Sequence, residues 1–134
     1  MLWVRLKELR FGRDKISRRE THLMNRTLHR ALESECHQQH GAMVVKSGRI
    51  LGLATNKMNN DPSKFCDDLF NKHRNLISTH AEVAAMKGIS PEVAKGSTVF
   101  VGRVLKDGTP GLSKPCPNCE AFLVSMGVRK VIYT

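Results

Sequence analysis

From about residue 16 to residue 35, apolar side chains recur at helical spacing. Leu23, Leu28, Ala31 and Leu32 fall among Arg, His and Glu, which predicts an amphipathic helix. The period then shortens. Residues 41–45 and 50–54 are two apolar runs joined by Lys46-Ser47-Gly48-Arg49, and a short Gly-containing link between such runs predicts a β-hairpin. Residues 56–78 are rich in Asn, Asp and Lys, with Phe65, Leu69 and Phe70 embedded. A stretch of that length in a compact domain is usually functional or partly helical. Ser78 or Thr79 can cap a helix that runs through Ala81, Val83, Ala84, Ala85 and Met86 and ends near Gly88. Residues 97–101 predict a strand by their β-branched content, and Asp107-Gly108 and Pro110-Gly111 mark turns. Pro117 suits the first turn of a second helix that Gly127 would end, and residues 128–134 form a last strand. The order α-β-β-α-β-α-β predicts a mixed α/β layer protein without internal repeat.

Residues 1–14 stand apart from this order. Trp3, Val4, Leu6, Leu9 and Phe11 are scattered among basic residues there, which suits an extra strand, a helix or an arm. The whole chain, 134 residues, fits one domain: residues 1–134, with 1–14 as a basic N-terminal extension and 57–78 as a long loop insertion. No run approaches the ~18 apolar residues of a membrane span, so no membrane partner is expected. Charge interrupts the N-terminus too often for a secretory apolar segment. The expected location is cytoplasmic, or intracellular and virus-encoded. Lys and Arg number 22 against 12 Asp and Glu, a net charge of +10. A field of that sign attracts polyanions and anionic metabolites alike. A solvated basic surface and a nucleic-acid footprint explain it equally well.

The chemistry is concentrated in two short motifs. His80-Ala81-Glu82 opens one predicted helix, and Pro115-Cys116-Pro117-Asn118-Cys119 opens the next. One His and two Cys suit a tetrahedral zinc whose fourth position is left to water. Glu82, two residues beyond His80, is then free to move protons to and from that water. Helix starts favour anions and lower thiol pKa values, so both cysteines are expected as thiolates. A closed four-ligand clip, with Cys36 or Cys66 as the fourth donor, would leave no water position and no task for Glu82. A redox reading of Cys-x-x-Cys would place it after the first strand of a thioredoxin-like pattern, whereas here it lies near the C-terminus.

These motifs are the signature of zinc nucleobase deaminases, and the sequence resembles the cytidine/deoxycytidylate deaminase superfamily from roughly Ser34 to Thr134. The resemblance rests on residues 41–45, Ala54-Thr55-Asn56, the two motifs above and residues 127–133. It implies a three-layer α/β fold, a central mixed sheet with helices on both faces. It also implies one catalytic zinc ion on His80, Cys116 and Cys119, with Glu82 as catalytic proton carrier. Asn56 would contact the substrate sugar, and the Ala81 backbone N–H would hold the base carbonyl. The implied reaction converts cytosine to uracil and releases ammonia. Family members usually continue past the fourth core strand with another helix and strand, so the fold reads as truncated there. The last strand would then be an open edge, covered by residues 1–14 or by another copy in a homo-oligomer.

The resemblance favours cytosine over adenine, because tRNA adenosine deaminases carry an acidic residue before Pro-Cys where this chain has Ser113-Lys114. The Pro-Cys-Pro-x-Cys wording looks most like deoxycytidylate deaminases. The expected substrate is a free (deoxy)cytidine nucleotide such as dCMP. One alternative is cytosine in single-stranded DNA or RNA; another is a basic nucleic-acid-binding module with a structural zinc. Scarce aromatics, at 5%, favour the small substrate, and the +10 charge favours the polymer. Cys36, His37 and His40, with Cys66 and His73, raise a second metal, although satisfied or solvated side chains explain them better. Lys57, Lys64, Lys72 and Arg74 suit either phosphate binding or a solvated loop. Phe65 and Phe70 suit buried packing better than base stacking.

Overall fold

The computed structural model describes residues 5–8, 16–58 and 78–134. The expectations placed on Trp3, Phe65, Cys66, Phe70, His73, Lys64, Lys72 and Arg74 lie outside those residues.

The first helix, α1 (Arg18–Ala31), begins on a capping box: the Ser17 hydroxyl accepts the Glu20 N–H, and the Glu20 carboxylate accepts the Ser17 N–H. It buries Leu23, Met24, Thr27 and Ala31. Strands β2 (Gln39–Lys46) and β3 (Arg49–Thr55) follow as the expected antiparallel hairpin. Ser47 and Gly48 at its tip take φ of 50° and 78°. Two central residues of positive φ make the turn whose twist matches the paired strands.

The central sheet has six strands, five of them in the order β1 (Arg5–Glu8), β8 (Lys130–Tyr133), β6 (Thr98–Val104), β2, β3, with β7 (Pro110–Gly111) beside β6. β6 pairs antiparallel with β2 and parallel with β8. A parallel pair needs a crossover, and here the connection contains α4 (Pro117–Ser125). The free edge of β8 is lined by β1, parallel, with Arg5 opposite Lys130 and Glu8 opposite Tyr133. The edge that the sequence leaves open is thus occupied by part of the N-terminal extension.

Each strand sends alternate side chains to opposite faces, and the two faces build separate cores. On one, Met43, Val45, Phe100 and Ile132 pack with Leu23 and Met24 of α1. On the other, Ala42, Val44, Val99, Val101 and Val131 pack with Ala81 and Ala85 of α2 (Ala81–Ala85) and Leu123 of α4. This is a three-layer mixed α/β architecture. Gly52 of β3 lets α2 lie close to the sheet, because a Cβ there would collide with the Ala85 carbonyl.

Three local details differ from the sequence reading. Ser78 and Thr79 do not cap α2. They form β5 (Ser78–Thr79), paired with β4 (Lys57–Met58), and His80 is the N-cap. Helix α2 is also shorter than expected, ending at Ala85. A one-turn helix, α3 (Pro91–Ala94), was not anticipated. Its signal is local, the Ser90 cap followed by Pro91 at the first helical position.

Candidate metal centre and active site

Both motifs sit at helix starts. His80 is the N-cap of α2 (φ −67°, ψ 151°) and Cys116 the N-cap of α4 (φ −67°, ψ 162°). An N-cap residue is extended, so its side chain stands at the end of the helix where backbone N–H groups lack intrahelical partners. The Cys116 sulfur takes that place and accepts the Cys119 N–H at 3.4 Å. Pro117 occupies the first turn, where a missing N–H costs nothing. Cys119 lies on the same turn and is buried.

These elements bring three donor atoms together. His80 Nδ1 lies 3.1 Å from Cys119 Sγ and 3.6 Å from Cys116 Sγ. The three donor atoms all lie within 4.8 Å of one another, and among the described residues no other three such side chains converge this way. In a tetrahedral site with Zn–S near ~2.3 Å and Zn–N near ~2.0 Å, nitrogen and sulfur stand roughly 3.5 Å apart. The donor set, two sulfurs and one imidazole, suits zinc. The Cys116 thiol is lowered to about 3, chiefly by its hydrogen bond with Cys119 and further by His80, against the opposing effect of burial. A thiolate at the start of a helix is the state a metal binds.

Glu82 lies in the first turn of α2 and is 5% exposed. Burial pushes its carboxyl above the usual carboxylate range, and the His80 charge only partly offsets that. A carboxyl whose pKa is raised in this direction is better matched to taking up and returning a proton near neutral pH. Ala81 is buried at the first position of α2, where the backbone N–H has no partner within the helix.

The loop that delivers Cys116 is tied to the sheet by a residue that sequence reasoning gave no role. Ser113 Oγ donates to the Val101 carbonyl at 2.7 Å, and Ser113 N–H donates to the Thr134 carbonyl at 2.7 Å. Thr134 Oγ1 in turn donates to the Gly111 carbonyl at 2.6 Å. Nothing in the local pattern announces this anchor, because its partners come from β6 and from beyond β8.

Asn56, just past β3, is held by an internal network. Its Oδ1 accepts the Ser34 hydroxyl at 2.6 Å and the His40 N–H at 3.0 Å, while its Nδ2 donates to the Gln38 carbonyl at 2.7 Å. The amide therefore shapes the 34–40 segment beside the site. Cys36 lies in that segment, its thiol directed at the Asn56 carbonyl at 3.5 Å. Cys36, His37 and His40 do not join the metal-donor group. The His40 side chain is lowered to about 4, mainly by burial, with Arg103 and His80 adding to the shift.

Fold and centre together define a mixed α/β domain with a His-Cys-Cys metal-donor cluster and a buried carboxylate beside it. The family follows from a direct match. Residues 17–134 match the cytidine and deoxycytidylate deaminase zinc-binding region, and the chain belongs to that family. Among solved structures, it is similar to the dCMP deaminase of the cyanophage S-TIM5 in complex with dCMP and dUMP. The identity is 25% and the TM-score 0.61, over 90% of this chain and 83% of that one. The apo form of that enzyme matches at 26% identity and TM-score 0.60, over 88% and 84% of the two chains. Acinetobacter baumannii RibD shares the fold at 18% identity and TM-score 0.52, over 86% of this chain and 27% of that one. No curated protein sequence matches. No helix among the described residues is long and apolar enough to cross a membrane.

Proposed function

We propose that this chain is a hydrolytic deaminase that converts the cytosine of a free (deoxy)cytidine nucleotide such as dCMP to uracil, with release of ammonia. The observation that carries the proposal is the buried Glu82 carboxyl in the first turn of the helix that His80 caps, with His80, Cys116 and Cys119 converging at that end. His80, Cys116 and Cys119 would hold zinc, which when bound supplies a water acidic enough to attack near neutral pH. Glu82 is placed to take the proton of that water and pass it to the ring nitrogen, then to the departing amine. Each transfer needs a carboxyl whose pKa has risen toward the working pH, the direction in which burial moves Glu82. The Ala81 N–H would hold the base carbonyl, and Asn56 would contact the sugar while bracing the 34–40 segment.

The similarity to a dCMP deaminase supports a mononucleotide, and so does the distribution of charge. Arg18, Arg19, Arg26 and Arg30 are exposed on α1, which covers the opposite face of the sheet from α2 and α4. That part of the +10 charge lies on the face of the sheet away from the centre.

The proposal is tested by assaying dCMP, cytidine, CTP and cytosine-containing oligonucleotides side by side with the zinc-loaded chain. It expects ammonia from dCMP. Turnover confined to oligonucleotides would move the substrate to the polymer, and one bound zinc with no turnover of any substrate would make the metal structural.

A further inference from the structure

The face of the sheet that carries the centre also presents a guanidinium, beside an uncharged imidazole, for which the chemistry above has no use. His40 on β2 and Arg103 on β6 are direct cross-strand partners. Both follow the alternation of Ala42, Val44, Val99 and Val101, so both belong to the α2 and α4 face. Cross-strand partners on one face have their side chains in reach of each other. Arg103 Nε is buried and has no hydrogen-bond partner among the described residues. No described acid forms an ion pair with Arg103; the described ion pairs are Arg30 with Glu33 and Lys130 with Glu20.

The surroundings hold this guanidinium in place. A Cβ built on Gly111 would stand 3.4 Å from Arg103 Cδ, so the stem lies along the β6–β7 hairpin. The Arg103 N–H donates to Thr134 Oγ1 at 3.3 Å, the hydroxyl that also meets Ser113 Oγ at 2.9 Å. Arg103 and the loop delivering Cys116 are therefore fixed to the same point of the sheet. His40 hydrogen-bonds through its backbone to Asn56, the residue expected at the substrate sugar. Asn56, His40 and Arg103 thus adjoin one another in that order across the ends of β3, β2 and β6.

Nε itself is enclosed, but Arg103 as a whole is only half-buried, so a ligand would meet the terminal amino groups of its guanidinium. Arginine's planar fork matches phosphate oxygens in particular. We propose that Arg103 receives the 5′-phosphate of the cytosine nucleotide, and so makes the site select nucleotides over nucleosides. This rests on the substrate reading above and adds its specificity determinant.

The test compares the zinc-loaded wild-type chain with Arg103→Met and Arg103→Lys. Steady-state constants are measured for dCMP and deoxycytidine, and calorimetry measures binding of dUMP, deoxyuridine and a short oligo(dC). Arg103→Met is expected to raise KM for dCMP and Kd for dUMP about 10- to 100-fold, the usual worth of a charged hydrogen bond. The two nucleosides should change less than about 2-fold, and Arg103→Lys, a point charge without the fork, should fall between. Equal losses on nucleotide and nucleoside would make Arg103 structural and overturn the proposal. A loss confined to oligo(dC) would overturn it too, by assigning Arg103 to a polymer backbone. If no substrate is turned over while dUMP binding still depends on Arg103, the deaminase reading fails and the phosphate site stands.

Discussion

Cys116 shows most clearly how single residues make this site. Its sulfur caps α4 by accepting the Cys119 N–H, and the side-chain hydrogen bond with Cys119, then that with His80, lowers the thiol to about 3. That arrangement was legible in sequence, because Cys-x-x-Cys with Pro between spans one helical turn wherever it begins a helix. His40 was not legible in the same way. Its surroundings come from β6 and α2, so only the β2–β6 register reveals that it faces Arg103. A pH prediction follows from it. The His40 side chain titrates at about 4 in the fold against an ordinary 6.5. Between those values the unfolded chain binds a proton that the folded one does not, so stability is present above 6.5 and is lost as pH falls through that window. The slope is at most about 1.4 kcal/mol per pH unit. Urea unfolding of the zinc-free chain across pH 4–7 should show this loss in the wild type, and His40→Gln should flatten it. An unchanged slope in the variant would remove His40 as the cause.

At the scale of elements, the long periodic segments were the readable ones: α1, the β2–β3 hairpin, β6, α4 and β8 all form where the patterning placed them. The short pieces were not. Helix α3 is a single turn, β7 is two residues, and β1 has meaning only beside β8. The close approach of α2 to β3 was also hidden, since a lone Gly52 within an apolar run does not say which backbone lies over it. Gly52→Ala should push α2 away from the sheet and with it His80 and Glu82. The expected result is a loss of roughly 1–3 kcal/mol in stability, as for overpacked cores, together with weaker zinc binding in a chelator competition. Native stability with unchanged zinc affinity would show that α2 is not set by that contact. Deleting residues 1–15 strips the parallel partner from β8 and leaves its edge open. The truncated chain should melt lower by roughly 5 °C or more and associate with itself at high concentration by sedimentation. A monomer of unchanged melting temperature would mean that β1 contributes nothing to the edge.

For the molecule as a whole, composition said less than placement. A net charge of +10 suggested a polymer as readily as a metabolite, and it could not show that the arginines of α1 lie on the far face. With those charges remote, turnover of dCMP should depend only weakly on salt. Neutralising many phosphates along a strand would instead cost about a thousandfold in affinity between ~50 and ~200 mM salt. Measuring kcat/KM for dCMP over that range distinguishes the two, with a change of less than about 5-fold expected. A steep fall would place the remote charges in the substrate path. The fold class was readable from the order of elements and the family resemblance, and the convergence of His80, Cys116 and Cys119 from two motifs. The juxtaposition of Asn56, His40 and Arg103, on which the proposed phosphate site rests, depends on long-range register that no local pattern encodes.

The role of Glu82 as proton carrier beside the metal is tested most directly by one paired measurement: zinc content and ammonia release from dCMP, for the wild type and for Glu82→Gln. Loss of a positioned acid–base group lowers kcat about 100- to 10,000-fold. The variant is expected to keep one zinc per chain, bind dUMP as before and lose ammonia release by that factor. Turnover that survives the substitution with zinc in place would contradict the mechanism.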